Sequence, residues 1–503
     1  MSIPHYRMII GGAEIDTDAR YELINPATEE VIATAAKGDA SHADAAVAEA
    51  KRTFESGIWR NLSLAERAEV FEKAADGLER RADEMVRLTT LEDGTTVRLS
   101  NVFSVVMPSA NLRHFAQMLR EYNPESAGDL VGPPFQSGKV RREPLGVCAA
   151  ITPWNFPVAL GAWKILPALG MGNSVVLKTD EKTPITSLIL AEILKEAGLP
   201  DGVLNVITGD GETVGAQLSA HPDVRKIAFT GSTEVGKKVS EASAGNLKRV
   251  TLELGGKGAN IVLEDADIRT AVDGSIWAFL MHTGQACESG TRLLLPSSIH
   301  DEFVDRMVER LKTIVIGDPS NPATDIGPLI SAEQRDRVLR YLDIAKKEGA
   351  TVAHGGGVPE GEQFSKGFWV EPTVLTDVTN DMTVAREEVF GPVLAVIRYD
   401  SVEEAIKIAN DTEYGLTAGV WSEDLTAAMS VAEQLESGAV WINDWHMINQ
   451  VYPFGGFKQS GQGRELGPNA FDAYTQEKAI QVGVEKKLEN RAYGLVLSTP
   501  SPN

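Results

Sequence analysis

A chain of 503 residues exceeds one ordinary core, so two or three domains are expected, with the 43% apolar and 24% charged content of an ordinary soluble globular protein. The formal charge of −23 leaves no basic stripe for a phosphate backbone, which excludes nucleic acid, and no stretch of about 18 apolar residues suggests a membrane span. Two cysteines exclude a disulfide framework and the first seven residues lack the pattern of a secretory signal, so a cytoplasmic location is expected.

The clearest elements lie in the middle third. Residues 147–152 read as a strand and 157–169 as a mostly apolar helix, followed by a strand over 174–178 and a helix over 184–197 that Gly198-Leu199-Pro200 stops. A strand over 204–208 leads through Gly209-Asp210-Gly211 into a helix from Glu212. Another over 226–230 leads through Gly231-Ser232-Thr233 into a helix from Glu234, and a strand over 250–254 closes the series. Short apolar strands alternating with helices predict a buried parallel sheet of the doubly wound type, fold class α/β. Strands near 259–263, 292–295 and 438–442 alternate with helices over 302–314 and 332–347, which makes a second α/β domain. Residues 132–138 read as a loop followed by an extended arm, and 499–503 as a frayed tail.

Two segments carry chemistry. Cys287 sits in Gly284-Gln285-Ala286-Cys287-Glu288-Ser289-Gly290, among glycines, small residues and hydrogen-bonding groups, the setting of a working thiol. Upstream, Leu252-Glu253-Leu254-Gly255-Gly256-Lys257 places a carboxylate in an apolar stretch. Apolar surroundings raise a carboxyl pKa toward the range a base needs, so the two segments predict covalent catalysis through a thiolate with Glu253 handling protons. Cys148, in a strand, reads as an inert core thiol. His282 lies close before Cys287, but cysteine–histidine dyads are not local in sequence and a protease is rejected.

Ligands of open α/β sheets gather at the carboxyl ends of strands, where helix N-termini offer free N–H groups. Four segments fall there: Thr152-Pro153-Trp154-Asn155-Phe156-Pro157, Lys178-Thr179-Asp180-Glu181, Gly209-Asp210-Gly211 and Thr230-Gly231-Ser232-Thr233. Each alone reads as a plain turn; four in succession predict a cofactor site. Lys178 with its following carboxylates suits the hydroxyls of a ribose. Asn155 reads either as the cap of the helix at Pro157 or, beside a cysteine nucleophile, as an oxyanion donor.

Six motifs in order resemble the aldehyde dehydrogenase superfamily over nearly the whole chain, from about Ile10 to Ile480. They are Pro153 to Pro157, Phe229 to Thr233, Leu252 to Lys257, Gly284 to Cys287, Glu387-Glu388-Val389-Phe390-Gly391-Pro392 and Pro453-Phe454-Gly455-Gly456-Phe457-Lys458. The resemblance implies Cys287 as nucleophile, Glu253 as base and Asn155 as oxyanion donor, with Lys164 and Glu465 as helpers in proton transfer. It implies NAD as cofactor, with Lys178 and Glu181 at the adenosine ribose, Ser232 near the pyrophosphate, and Glu388 with Phe390 at the nicotinamide ribose and ring. Ile151, Thr152, Pro153, Trp154, Gly211, Gly231, Val235 and Leu254 complete that surface. Phe156, Ala159, Leu160, Trp163, Met281, Glu288, His446, Ile448 and Phe454 fall where relatives line an aldehyde tunnel, with Trp445 and His446 in the loop at its mouth. No metal is implied.

The same resemblance divides the chain into an NAD-binding domain over 1–121 and 143–253, a catalytic domain over 254–455, and an oligomerisation arm with the C-terminal segment over 122–142 and 456–503. A homodimer or homotetramer is expected. Two segments depart from the family pattern: the common Lys-Pro-Ser-Glu run is Lys178-Thr179-Asp180-Glu181, and Glu288 follows the nucleophile where smaller or apolar residues are usual. The implied reaction is oxidation of an aldehyde to an acid through a Cys287 thioester. The rivals are a CoA-acylating enzyme, against which Glu253 speaks, and a retired structural member, against which the retention of Cys287, Glu253 and Asn155 speaks.

Overall fold

The computed structural model describes residues 3–132 and 134–498; Pro133, in the expected loop, and the tail 499–503 lie outside the described residues. Strands Val147–Ile151, Ser174–Lys178 and Leu204–Ile207 are buried along their whole length, because helices cover both faces of the sheet they form. The chain lays these three side by side in parallel, then reverses to place Val224–Thr230 on the other side of Val147–Ile151, with Arg249–Glu253 beyond it. That reversal is the switch point of a doubly wound sheet, and a crevice opens there at the carboxyl ends of the strands. Antiparallel strands finish both edges: Met8–Ile10 with Ala13–Ile15 at one, Gly461–Gln462 at the other.

The helix expected from Glu212 is present but opens irregularly: a π-turn over Gly211–Gly215 runs directly into a short α-helix, Ala216–Ala220. Glycine at both ends of the turn weakens a regular start, and Asp210 does not cap it. The Asp210 carboxylate instead accepts from the Tyr21 hydroxyl at 2.7 Å and pairs with Lys37 at 2.8 Å. The similar turn at Gly231 behaves differently: Ser232 caps the helix Thr233–Ser243 by accepting from the Val235 N–H.

The first third, in which the sequence marks few elements, folds into a small strand cluster and helices. Ala40–Ser56 and Leu64–Arg80 both start on capping boxes, at Asp39 and Ser63. Leu64–Arg80 packs on Met107–Glu121, which in turn packs on the helix Pro157–Gly170. All fourteen residues of Pro157–Gly170 are buried, so this helix is the spine of the first unit.

The second sheet has seven strands in the order Thr351–His354, Thr373–Thr376, Val393–Tyr399, Arg292–Pro296, Ala259–Val262, Thr417–Trp421 and Ala439–Ile442, all parallel except the first. The expected arm is a three-stranded antiparallel sheet in which Gln136–Pro144 lies between Glu125–Val131 and Thr475–Gly483.

Candidate active site

Cys287 is delivered by a strained turn. After the helix Ile268–Leu280, His282 and Thr283 take φ of 50° and 56°, and Gly284 takes 74°. A Cβ on Gly284 would also collide with the Gly391 carbonyl, so both backbone and space demand glycine. Each non-glycine residue held in this region costs about 1–3 kcal/mol and persists only where its surroundings over-determine it. Here Gln285 does so: its carbonyl accepts from Asn155 Nδ2 at 2.8 Å, and its side chain accepts from the Ile330 N–H at 2.9 Å and donates to the His282 carbonyl at 3.2 Å. The Cys287 thiol donates to Glu288 Oε2 at 3.3 Å. Burial, then the charges of Glu288 and Glu388, push this thiol well above its ordinary range. Cys148 is buried too, and burial raises it to about 12, which leaves it inert.

Asn155 does not cap the following helix; Phe156 occupies the cap position without any side-chain bond. The Asn155 amide instead spends one N–H on Gln285 and keeps the second, while its Oδ1 is buried without a protein partner.

Glu253 ends the strand Arg249–Glu253 and is 2% exposed, with neither carboxylate oxygen hydrogen-bonded. Burial, then the neighbouring Glu465, raise its pKa well above the usual carboxyl range. Lys164 Nζ lies 2.6 Å from Glu465 Oε1 and 2.6 Å from Thr230 Oγ1, all buried, so Lys164, Glu465 and Glu253 do converge. A Cβ on Gly455 would stand 2.7 Å from Glu253 Oε1, so glycine there keeps space open beside the carboxylate.

Two cavities open from the carboxyl ends of the first sheet. One, of about 190 Å³, is lined by Pro153, Trp154, Asn155, Gly231, Ser232, Leu254, Cys287, Glu388 and Phe390. The other, of about 520 Å³, is lined by Ile151, Glu181, Gly211 and Val235, together with Phe229 and Lys238. Thr152 is buried and holds the Lys178 carbonyl through its N–H at 3.1 Å. Lys178 Nζ lies 3.3 Å from Glu181 Oε2. Glu388 accepts from the Gly256 N–H at 2.9 Å, and burial lifts its pKa to about 7. Phe390 takes φ of 60° and meets Trp154 edge-on at 5.4 Å. A charged and apolar groove of this kind, with a helix N-terminus at Ser232 and an open flank at Gly211, fits a dinucleotide.

Sequence reasoning missed the residues that hold the Glu388 loop. Gln334 and Arg337, one turn apart on the helix Ala332–Glu348, donate to the carbonyls of Phe390 and Glu388, both at 2.7 Å, and line the smaller cavity. Their only signal is the i, i+3 spacing on one helix face, which names no ligand.

Phe156, Ala159, Leu160, Trp163, Met281, Ile448 and Phe454 join Cys287 in one apolar cluster, with the Trp163 and Phe454 rings 5.6 Å apart. Phe103, from the π-turn Val102–Val106, stacks at 4.3 Å on Phe156 and was not anticipated. Trp445, expected in the loop at the tunnel mouth, is buried over glycines, where a Cβ on Gly290 or Gly419 would strike its ring and one on Gly258 would press on it at 3.2 Å, and its indole donates to the Glu288 carbonyl at 2.8 Å. His446 is likewise turned inward, at φ 58°, with Nδ1 3.2 Å from Glu288 Oε1. Burial alone would raise the Glu288 carboxyl, but the hydrogen bond and charge of His446 outweigh it and hold the group below the ordinary value.

Fold and site together define an α/β enzyme that presents a thiol and a separate buried carboxylate beside the switch point of a doubly wound sheet. The family model described as "Aldehyde dehydrogenase family" matches residues 14–480. Betaine aldehyde dehydrogenase of Bacillus subtilis (strain 168) is 42% identical over 463 residues, covering 91% of this chain and 93% of the relative. Aldehyde dehydrogenase 1A1 of Mesocricetus auratus is 43% identical over 473 residues, covering 93% and 92%. Among solved structures, betaine aldehyde dehydrogenase of Staphylococcus aureus in complex with NAD+ superposes with a TM-score of 0.93 at 38% identity, covering 96% of each chain. PnpE from Pseudomonas sp. WBC-3 gives 0.93 at 42%, covering 96% and 99%. The chain belongs to the aldehyde dehydrogenase family, oxidoreductases acting on the aldehyde group.

Proposed function

We propose that this aldehyde dehydrogenase uses NAD and makes a carboxylic acid, through a thiohemiacetal and then a thioester on Cys287. The carrying observation is the buried Glu253 carboxylate, free of any protein hydrogen bond and raised well above its ordinary pKa by burial, whose chain neighbours Leu254 and Gly255 line the same cavity as Cys287. Cys287 Sγ attacks the carbonyl carbon, and the oxygen that becomes anionic is held by the free Asn155 N–H and the Cys287 backbone N–H, worth about 2.7–4 kcal/mol per donor at such sites. Bound NAD supplies the hydride acceptor. Lys178 and Glu181 would hold its adenosine ribose, Ser232 its pyrophosphate, and Glu388 with Phe390 its nicotinamide end. Glu253 then takes a proton from water, which hydrolyses the thioester. Lys164 and Glu465 carry that proton away from Glu253.

A CoA acceptor has less support, because a buried base next to the thiol serves water. A retired role has less still, because the strained Cys287 turn is maintained at a cost. The apolar walls from Phe156 to Phe454 support an aliphatic or aromatic aldehyde. The domain division at 121, 143, 253 and 455 goes with this proposal. So does a homodimer or homotetramer, supported by the arm, which leaves Leu130, Val131, Phe135 and Val482 exposed. The test is a burst of NADH with a reactive aldehyde and identification of the product: free acid is expected, and acyl-CoA in the presence of CoA would refute the hydrolytic route.

A further inference from the structure

Glu288 is one of the places where the sequence departs from the pattern it otherwise resembles, and the structure puts its carboxylate on the Cys287 sulfur. Oε2 accepts from the Cys287 thiol at 3.3 Å, and Oε1 lies 3.2 Å from His446 Nδ1. Both side chains are nearly inaccessible, at 4% and 2%. The Glu288 backbone carbonyl accepts from Trp445 Nε1 at 2.8 Å and Thr417 Oγ1 at 3.0 Å, which fixes the main chain, and the carboxylate leaves the sulfur only by giving up its buried bond to His446. His446 Nε2 is buried with no protein partner. Glu253, by contrast, makes no hydrogen bond to the thiol or to any other group.

A sulfur flanked by burial and by Glu388 and Glu253 as further negative groups is poorly placed to ionise into solvent. It needs a local acceptor for its proton at the moment it attacks. We propose that Glu288, positioned by His446, is that acceptor, and that it returns the same proton to the sulfur when the acyl group leaves. The proposal rests on the assignment of Cys287 as nucleophile.

The balance closes with the NAD of the proposed reaction as its one oxidant, which would take the hydride that turns the thiohemiacetal into the thioester. In the first attack the S–H bond breaks and the S–C bond forms. The proton passes to Glu288 Oε2, and the aldehyde oxygen takes the carbonyl electron pair. In deacylation water, deprotonated by Glu253, attacks the thioester; the C–S bond breaks, and Glu288 protonates the departing thiolate. Glu288 touches the reacting atom and is catalytic. His446 acts through it and is a positioning residue. The charged or titratable groups around the pair are Glu388, Glu253 and His282, and burial drives His282 down to about 3, so it stays neutral and cannot substitute for His446.

The sign of one experiment separates a proton acceptor from a mere negative neighbour. The rate of Cys287 alkylation by iodoacetamide is measured against pH in the full-length protein, with Cys287→Ala as the background. A negative neighbour only makes the thiolate scarcer, so Glu288→Gln would speed alkylation at neutral pH. A proton acceptor assists the attack of the thiol itself. The wild type should then hold a rate plateau from about pH 5 to 8, and Glu288→Gln should lose it and slow at least tenfold at pH 7. His446→Phe should keep the plateau but move its acid edge to higher pH, because it removes the group that holds the Glu288 carboxyl low. A Glu288→Gln protein alkylated as fast as the wild type or faster overturns the proposal. So does a wild-type rate that rises with a single thiol titration and shows no plateau, a measurement that needs no variant to fold. Failure of the nucleophile assignment shows separately, as unchanged labelling or turnover in Cys287→Ala.

Discussion

Lys164 and Glu465 form a buried ion pair at 2.6 Å, and after burial its two charges are the largest influences on the Glu253 carboxyl. Glu465 raises the Glu253 carboxyl while Lys164 lowers it, so the two neighbours act in opposite senses on one base. Lys164→Met should do two things. It leaves Glu465 buried and unpaired, a loss of about 3–5 kcal/mol, read as a lower denaturant midpoint. It also removes a cation that favours ionised Glu253. On the proposed role of Glu253 as a base, which acts only when deprotonated, the rising limb of kcat against pH should move to higher pH. A variant with wild-type stability and an unmoved limb would show that the pair is neither structural nor coupled to the base.

Glu253→Gln separates the two half-reactions. An amide cannot take water's proton, so the steady state should fall about 10²-fold or more. Formation of the thioester should persist, giving one equivalent of NADH followed by a stalled acyl-enzyme. Loss of the burst along with turnover would mean that Glu253 serves the attack and not the hydrolysis.

Glu181 lines the larger cavity 3.3 Å from Lys178, and on the proposed reading cofactor choice turns on it. A carboxylate accepts from a ribose 2′-hydroxyl and repels a 2′-phosphate. At an effective dielectric near 20, unit like charges about 4 Å apart cost on the order of 4 kcal/mol before screening. Glu181 is partly exposed and Lys178 offsets some of the repulsion, so the expected preference for NAD over NADP is about tenfold to a thousandfold in kcat/KM. Glu181→Ser should narrow it. Equal use of both cofactors by the wild type would remove Glu181 from the ribose.

The middle of the fold was legible because its strands are buried on both faces and therefore read as unbroken apolar runs, as Val147–Ile151 and Ser174–Lys178 do. The residues at Cys287, Glu253 and Asn155 were legible because each breaks a local pattern. Gln334 and Arg337 were not, because they reach the Glu388 loop only through a helix far away in sequence. The inward turn of Trp445 and His446 was hidden for a different reason. The Trp445 ring fits only over three glycines, Gly258, Gly290 and Gly419, whose missing side chains make the space, and His446 follows it in the chain. Glu288 stood out as a departure, but its partner His446 is set by tertiary packing alone.

The central claim, that Cys287 carries the acyl group, is tested most directly by intact-mass measurement of the enzyme mixed with NAD and a reactive aldehyde and quenched within the burst. The wild type should gain the mass of one acyl group, with NADH released in equal amount, and Cys148→Ala should do the same. Cys287→Ala should show neither the adduct nor the burst. Appreciable turnover in Cys287→Ala, or an adduct that persists in it, would contradict covalent catalysis at this sulfur.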